Sequence, residues 1–284
     1  MNVNYKTYLK VFIISILIAI GSVYYFTKTS NIVYVYNDDG VGEQSWLHLM
    51  YCLKQMLPDK YYIKTINATE VKSKNWTKNA ALFVMPGGAD IPYTKKLNGV
   101  GNKIIKDYVA NGGTYLGICA GSYYGSGYVE FDKGGELEVL GSRELAFFPG
   151  KAIGPAIGFY NYKSNIGAQA ANISVFIAGI KKNIHLFLHG GPYFANAESF
   201  SNVSVIGWYK IKNNVKLPAI IHIKYGKGNV VLSGVHFEYE PNMLDKHDKF
   251  LTKLIPQLDA SNEARKVMIG SILVLVGILP RGER

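Results

Sequence analysis

The stretch TYLGICAG, Thr114 to Gly121, decides the reading of this chain. Thr114 to Ile118 has the β-branched and aromatic content of a short buried strand. Cys119 follows with glycine two residues before it, Gly117, and two after it, Gly121. A nucleophile framed in this way at a strand-to-helix turn is the pattern of a nucleophile elbow, a turn so sharp that neighbouring Cβ atoms would collide. The side chain of residue 119 then projects from the edge of the sheet, and a helix N-terminus behind it favours a thiolate.

A cysteine nucleophile needs a base. Ser233-Gly234-Val235-His236-Phe237-Glu238 supplies one at the end of another strand. His236 and Glu238 are two residues apart, so on extended backbone they point to the same side, and the carboxylate orients the imidazole toward Cys119. Pro86-Gly87-Gly88 ends a third strand, where the N–H groups of Gly88 and Ala120 are placed to hold an oxyanion.

The rest of residues 31–258 sets these motifs in an α/β frame. Strand-like runs at 31–37, 61–67, 81–88 and 114–119 alternate with helical spacing at Trp46, Leu49, Met50, Leu53 and Leu57 and at Ile104, Ile105, Tyr108 and Val109. That alternation predicts a doubly wound, mostly parallel sheet with its chemistry at the carboxyl ends of the strands. Residues 128–230 are richer in strands and glycine turns, with a hairpin at Gly226 to Asn229, and predict an antiparallel extension. Asp245 to Leu258 reads as a closing amphipathic helix, with Phe250, Leu251 and Leu254 on one side.

GICAG, HFE and the strand-end PGG together resemble the class I glutamine amidotransferase-like superfamily, with Cys119, His236 and Glu238 on its Cys–His–Glu triad. More closely, VMPGGADIPY, LNGVGNKIIKDYVANGGTYLGICAGSYYGS, LGSRELAFFPG and HGGPYF resemble the N-terminal domain of eukaryotic biotin–protein ligases and its stand-alone relatives. The resemblance implies a thiol hydrolase or amidase acting on a small amide or ester. Where glutamine-hydrolysing members carry a glutamine two residues beyond the second elbow glycine, this chain has Tyr123. No counterpart of the biotin-ligase catalytic domain is found, so ligase activity is not implied. The alternative is a non-catalytic binding or regulatory module that keeps the fold.

Gly87, Asp90, Tyr93, Tyr123, Tyr124, Arg143, Glu144 and Gly191 fall in loops that can line such a pocket. Arg143 is the candidate for gripping a substrate carboxylate with both guanidinium arms. Cys52 reads as a core thiol. His48, His185, His189, His222 and His247 read as structural or exposed, with no partner at metal-ligand spacing, so no metal or cofactor is expected.

The ends differ from the middle. Residues 1–30 hold an uncharged run from Tyr8 to Phe26, preceded by Lys6 and Lys10, which reads as a membrane anchor with the domain exported. The alternative is a signal peptide cleaved after Gly21, with the domain secreted. Residues 259–284 form a tail whose apolar segment 267–279 fits a packing helix, an interfacial segment or a second span. Of the net charge of +11, the first 30 residues carry +3 and the tail +1. The +7 left between them is scattered lysine without a basic run, which argues against a nucleic-acid partner.

Overall fold

The computed structural model describes residues 30–177, 179–211 and 215–278. The expected membrane or signal segment lies outside the described residues. Among those described, no helix is long and apolar enough to cross a membrane.

Five strands form the parallel half of a nine-stranded mixed sheet: β1 (Ile32–Tyr36), β2 (Tyr62–Ile66), β3 (Ala80–Met85), β4 (Thr114–Ile118) and, from the far end of the chain, β13 (Gly228–Ser233). Four more continue it antiparallel: β8 (Gln169–Ile177), β9 (Ile180–Leu188), β11 (Val203–Lys210) and β12 (Lys216–Tyr225). The order is β2-β1-β3-β4-β13-β12-β11-β8-β9. The mixed α/β architecture expected from the alternation is therefore present, and the hairpin at Gly226 closes β12 onto β13 with Tyr225 opposite Gly228.

Side chains alternate across the sheet and fill two separate cores. Val33, Val35, Leu82, Val84, Leu116, Ile118 and Val231 face one layer; Phe83, Met85, Tyr115, Val230 and Leu232 face the other. Burial on both faces explains why β3 and β4 read as nearly unbroken apolar runs. On the first face lies α1 (Glu43–Met56), which buries Ser45, His48, Leu49, Cys52 and Leu53 and ends just before Pro58. The second face carries α2 (Ala68–Lys72), α3 (Asp90–Leu97), α4 (Val100–Ala110) and the one-turn α5 (Ala120–Tyr124).

Three features depart from the expectation. Part of the strand-rich middle leaves the main sheet: β5 (Ser126–Phe131), β6 (Val139–Ser142), β7 (Phe148–Gly154) and β10 (Tyr193–Phe194) form a second, four-stranded sheet in the order β10-β7-β5-β6. The closing helix is broken into α6 (Lys249–Thr252) and α7 (Ile255–Ala260), with Pro256 in the first turn of the second, where its missing N–H is tolerated. Finally, the end of the chain joins the domain expected to stop at Leu258: α8 (Asn262–Leu275) buries Met268, Ile269, Ile272 and Leu273 in the same core as α1, which for residues 267–275 is the packing-helix alternative.

Candidate active site

The order β3-β4-β13 brings three chain-distant motifs to one edge. Ser233 pairs with Ile118 and Met85 with Gly117, so Pro86-Gly87-Gly88, Cys119 and His236 leave neighbouring strands at the same level.

Cys119 has φ +49° and ψ −107°, a backbone conformation that non-glycine residues rarely adopt. Its surroundings leave no room to relax. A Cβ on Gly117 would strike the carbonyl of Gly121, and one on Gly121 would strike that of Met85. The N–H of Cys119 donates to Ser233 O at 2.8 Å, and that of Gly121 donates to Pro86 O at 3.0 Å. Behind the elbow, α5 is only five residues long. Its contribution is therefore the Ala120 N–H itself rather than the dipole of a long helix.

Gly88 meets Val41 in a bridge made by Gly42 N–H to Gly87 O and Ala89 N–H to Gly40 O. Neither bond uses the Gly88 N–H, which stays available beside Cys119 in the cleft. The N–H of Gly87 is committed instead, donating to Ser45 Oγ at 3.0 Å. A Cβ on Gly87 would come within 2.5 Å of the His236 ring and 3.3 Å of Cys119 Cβ, so glycine is what lets the imidazole and the thiol approach this backbone.

His236 is buried apart from the edge it presents to the cleft. It is tied to Phe187 O by its own N–H at 2.8 Å, and its Nδ1 donates to Glu238 Oε1 at 2.7 Å. The segment after His236 turns instead of running on as a strand, yet the pair expected of positions 236 and 238 still forms. Burial by itself pushes the imidazole toward its neutral form. Glu238, and after it Cys119 within hydrogen-bond reach, outweigh burial and raise the pKa to about 10. His236 is thus an imidazolium through neutral pH, facing the sulfur.

Ser45 and the turn's own anchors escaped the sequence reading. Ser45 Oγ–H donates to Glu238 Oε1 at 3.3 Å, linking α1 to the acid. Tyr239 stacks on Phe187 and on His48 at 4.3 and 4.1 Å, and its ring edge meets His236 at 4.7 Å. His48 is buried, which lowers its pKa to about 4, and as a neutral ring its Nδ1 accepts the Glu240 N–H at 2.9 Å. From α8, Arg265 donates to Glu240 Oε2 at 2.5 Å and to Phe237 O at 2.8 Å. The signal available was spacing: Ser45 and His48 share the buried face of α1 with Leu49 and Cys52.

The cleft above Cys119 has a volume of about 370 Å³. Its walls include the first turn of α1, His236 and Tyr239, and the segment Tyr160 to Asn165. His189, expected to be structural or exposed, is in this wall: its ring packs on Tyr160 at 4.5 Å, and its carbonyl lies 3.9 Å from Cys119 Sγ. A smaller recess of about 30 Å³ opens on the other side of Cys119, toward Asp90, Ala120 and Tyr123.

Several expected lining residues are elsewhere employed. Arg143 donates through Nε to Asp90 at 2.7 Å and through Nη1 to the carbonyls of Gly141 and Ser142, leaving only Nη2 without a partner. A two-armed grip on a substrate carboxylate is therefore not on offer. Glu144 accepts from Gly99 N–H at 2.7 Å and from Asn102 at 2.9 Å, which places it at the start of α4, away from Cys119. Tyr124 is core, donating to Asn102 Oδ1 at 2.5 Å, and Tyr93 is likewise enclosed, donating to Pro86 O at 3.2 Å. Gly191 serves close packing, since a Cβ there would strike the Gly234 carbonyl. Tyr123 does face the recess and donates to Gly190 O at 2.9 Å. Cys52 is a core thiol, its pKa pushed up to about 12 by burial.

A family model described as biotin-protein ligase, N terminal, matches residues 31–282. The chain belongs to this family. The match reaches through α8, in keeping with that helix being part of the core. This biotin–protein ligase N-terminal family member is 37% identical over 224 residues to a biotin–protein ligase of Schizosaccharomyces pombe, covering 76% of the chain and 35% of that relative. The chain thus spans about a third of the length of that ligase. It is also 37% identical over 239 residues to an uncharacterized protein of Chlamydia muridarum, covering 82% of the chain and 89% of the relative. Among solved structures, Gan42B, a GH42 beta-galactosidase from G. stearothermophilus, is similar over 88% of this chain and 30% of its own at 14% identity. The TM-score of that match is 0.48.

Proposed function

We propose that this family member is a class I glutamine amidotransferase-like thiol hydrolase that opens a small amide or ester through a thioester on Cys119. The observation that carries the reading is the strained Cys119 elbow facing an imidazolium held by a buried carboxylate. In this mechanism the Cys119 thiolate attacks the substrate carbonyl, and the displaced electron pair rests on an oxygen held by the N–H groups of Gly88 and Ala120. The carbon–nitrogen or carbon–oxygen bond then breaks as His236 Nε2 protonates the leaving atom. Neutral His236 next takes a proton from water, which attacks the thioester; the carbon–sulfur bond breaks, the acid leaves, and the ion pair is restored. Glu238 orients the ring throughout, with Ser45 fixing Glu238.

The test is intact-mass analysis of the full chain after exposure to activated ester, amide and glutamine-analogue electrophiles. One adduct per chain on Cys119, lost in Cys119→Ala and decaying with turnover of the ester, is the expected result. If none of these reagents leaves an adduct, the pocket binds without reacting, and the module reading replaces the enzyme reading.

We further propose that the Tyr8–Phe26 run anchors the chain in a membrane with the domain on the exported side, on the strength of its length and its N-terminal lysines. An alkaline phosphatase reporter fused after Arg284 should then be active; a fusion active only in its cytoplasmic form would overturn this topology.

A further inference from the structure

Cys119 stands on the boundary between two spaces of very different size. Gly88, Cys119, Tyr160, Tyr162 and His189 line both. The larger, about 370 Å³, contains His236 in its wall. The smaller, about 30 Å³, lacks His236 and contains Ala120, with Val129, Phe131 and Val139 closing its far side.

The chemistry assigns a role to each side. The group that departs from the carbonyl carbon must take its proton from His236, so it must lie in the space that His236 lines. The oxygen lies at the Gly88 and Ala120 amides, and the third substituent, the acyl chain, is left with the recess beyond Ala120. On the scale on which a single water needs about 10–15 Å³, a volume of about 30 Å³ takes a methyl-sized group and not a long chain. Its back wall is buried: Val129 and Phe131 belong to β5 and to the closely packed second core, which resists expansion. The polar first turn of α1 and the Tyr160–Asn165 segment leave ample room for a larger leaving group.

We infer that the site takes short acyl groups, formyl to acetyl in size, carried on a larger polar amine or alcohol, and that the recess between Ala120 and Phe131 sets this limit. The inference rests on the thiol-hydrolase reading above.

The experiment uses the full chain and the p-nitrophenyl esters of acetate, butyrate and octanoate. Acylation is followed by p-nitrophenol release and by the mass of acyl-Cys119, and each rate is divided by that of free cysteine with the same ester. The acetyl ester should acylate at least ten-fold faster than the octanoyl ester after this correction. Tyr162→Ala, which opens the exposed partition between the two spaces without touching the core, should shrink that ratio several-fold; Phe131→Ala enlarges the recess from behind and should do the same. Acyl-Cys119 formed equally fast or faster with octanoate overturns the inference and leaves the hydrolase reading standing. An acetate preference that neither variant alters also overturns it, because the limit then lies elsewhere. If no ester acylates Cys119 while iodoacetamide does, the hydrolase reading falls, and this inference with it.

Discussion

Replacing His236 by glutamine is expected to slow carboxymethylation of Cys119 by iodoacetamide at pH 6.5 ten-fold or more. In the native protein the sulfur faces an imidazolium whose pKa is raised to about 10, so the positive partner is present across the whole range from pH 6 to 9. Reaction in the native protein should change as His236 loses its proton near pH 10. Without the partner, an ordinary thiol with a pKa near 8.5 is about 1% thiolate at pH 6.5, so the rate should fall steeply and climb with pH. The readout is simple, because the chain has two cysteines and the other, Cys52, is buried with its pKa pushed up to about 12. Mass analysis should find one modified residue in the native fold. Equal rates and equal pH profiles in the two proteins would remove the imidazolium–thiolate pair from the mechanism.

Ending the chain at Leu258 is expected to abolish folding. The lost helix α8 and the residues after it bury Met268, Ile269, Ile272, Leu273, Val276 and Ile278 against the sheet and α1. At about 1.5–3 kcal/mol for each large buried side chain, the loss is of the same size as the 5–15 kcal/mol by which a whole domain is typically stable. The truncated chain should show no cooperative thermal transition by near-ultraviolet circular dichroism. A milder form of the same test replaces Arg265 by methionine, leaving the buried Glu240 carboxylate without its cation. Breaking such a buried pair costs about 3–5 kcal/mol, which at this chain size lowers Tm by roughly 10 °C. A truncated protein that unfolds at the native Tm would show that α8 is dispensable.

The two parts of the protein differed in how far the sequence revealed them. Glycine at 117 and 121 marked the tight turn at Cys119, and the strand-end positions of Pro86-Gly87-Gly88 and His236 put them beside it, because those features are local and their geometry follows from spacing. What remained hidden was set by distant contacts. Spacing puts Ser45 and His48 on the buried face of α1 but does not say what that face meets; only the packing of α1 under the His236 turn brings them to Glu238 and Glu240. Arg143 looked free because an arginine in a loop shows no sign of the aspartate 53 residues earlier that holds it. The second sheet was missed for a related reason: its strands β5, β6 and β7 are as short and glycine-bounded as those of the main sheet, and period-two patterning does not say which edge a strand joins.

The adjacency of β3, β4 and β13 makes the sheet itself a ruler for the site. Under the proposed thiol-hydrolase reading, the oxyanion donor Gly88, the nucleophile and the base follow three successive rungs, separated by the repeat of about 4.8 Å that backbone hydrogen bonding imposes on any sheet. Their relative positions are inherited from the most rigid part of the molecule, and no loop has to close to assemble them. On the same reading, fitting the departing group is left to the segment from Tyr160 to Asn165 on the opposite wall, so that half of the choice can drift while the reacting groups stay fixed.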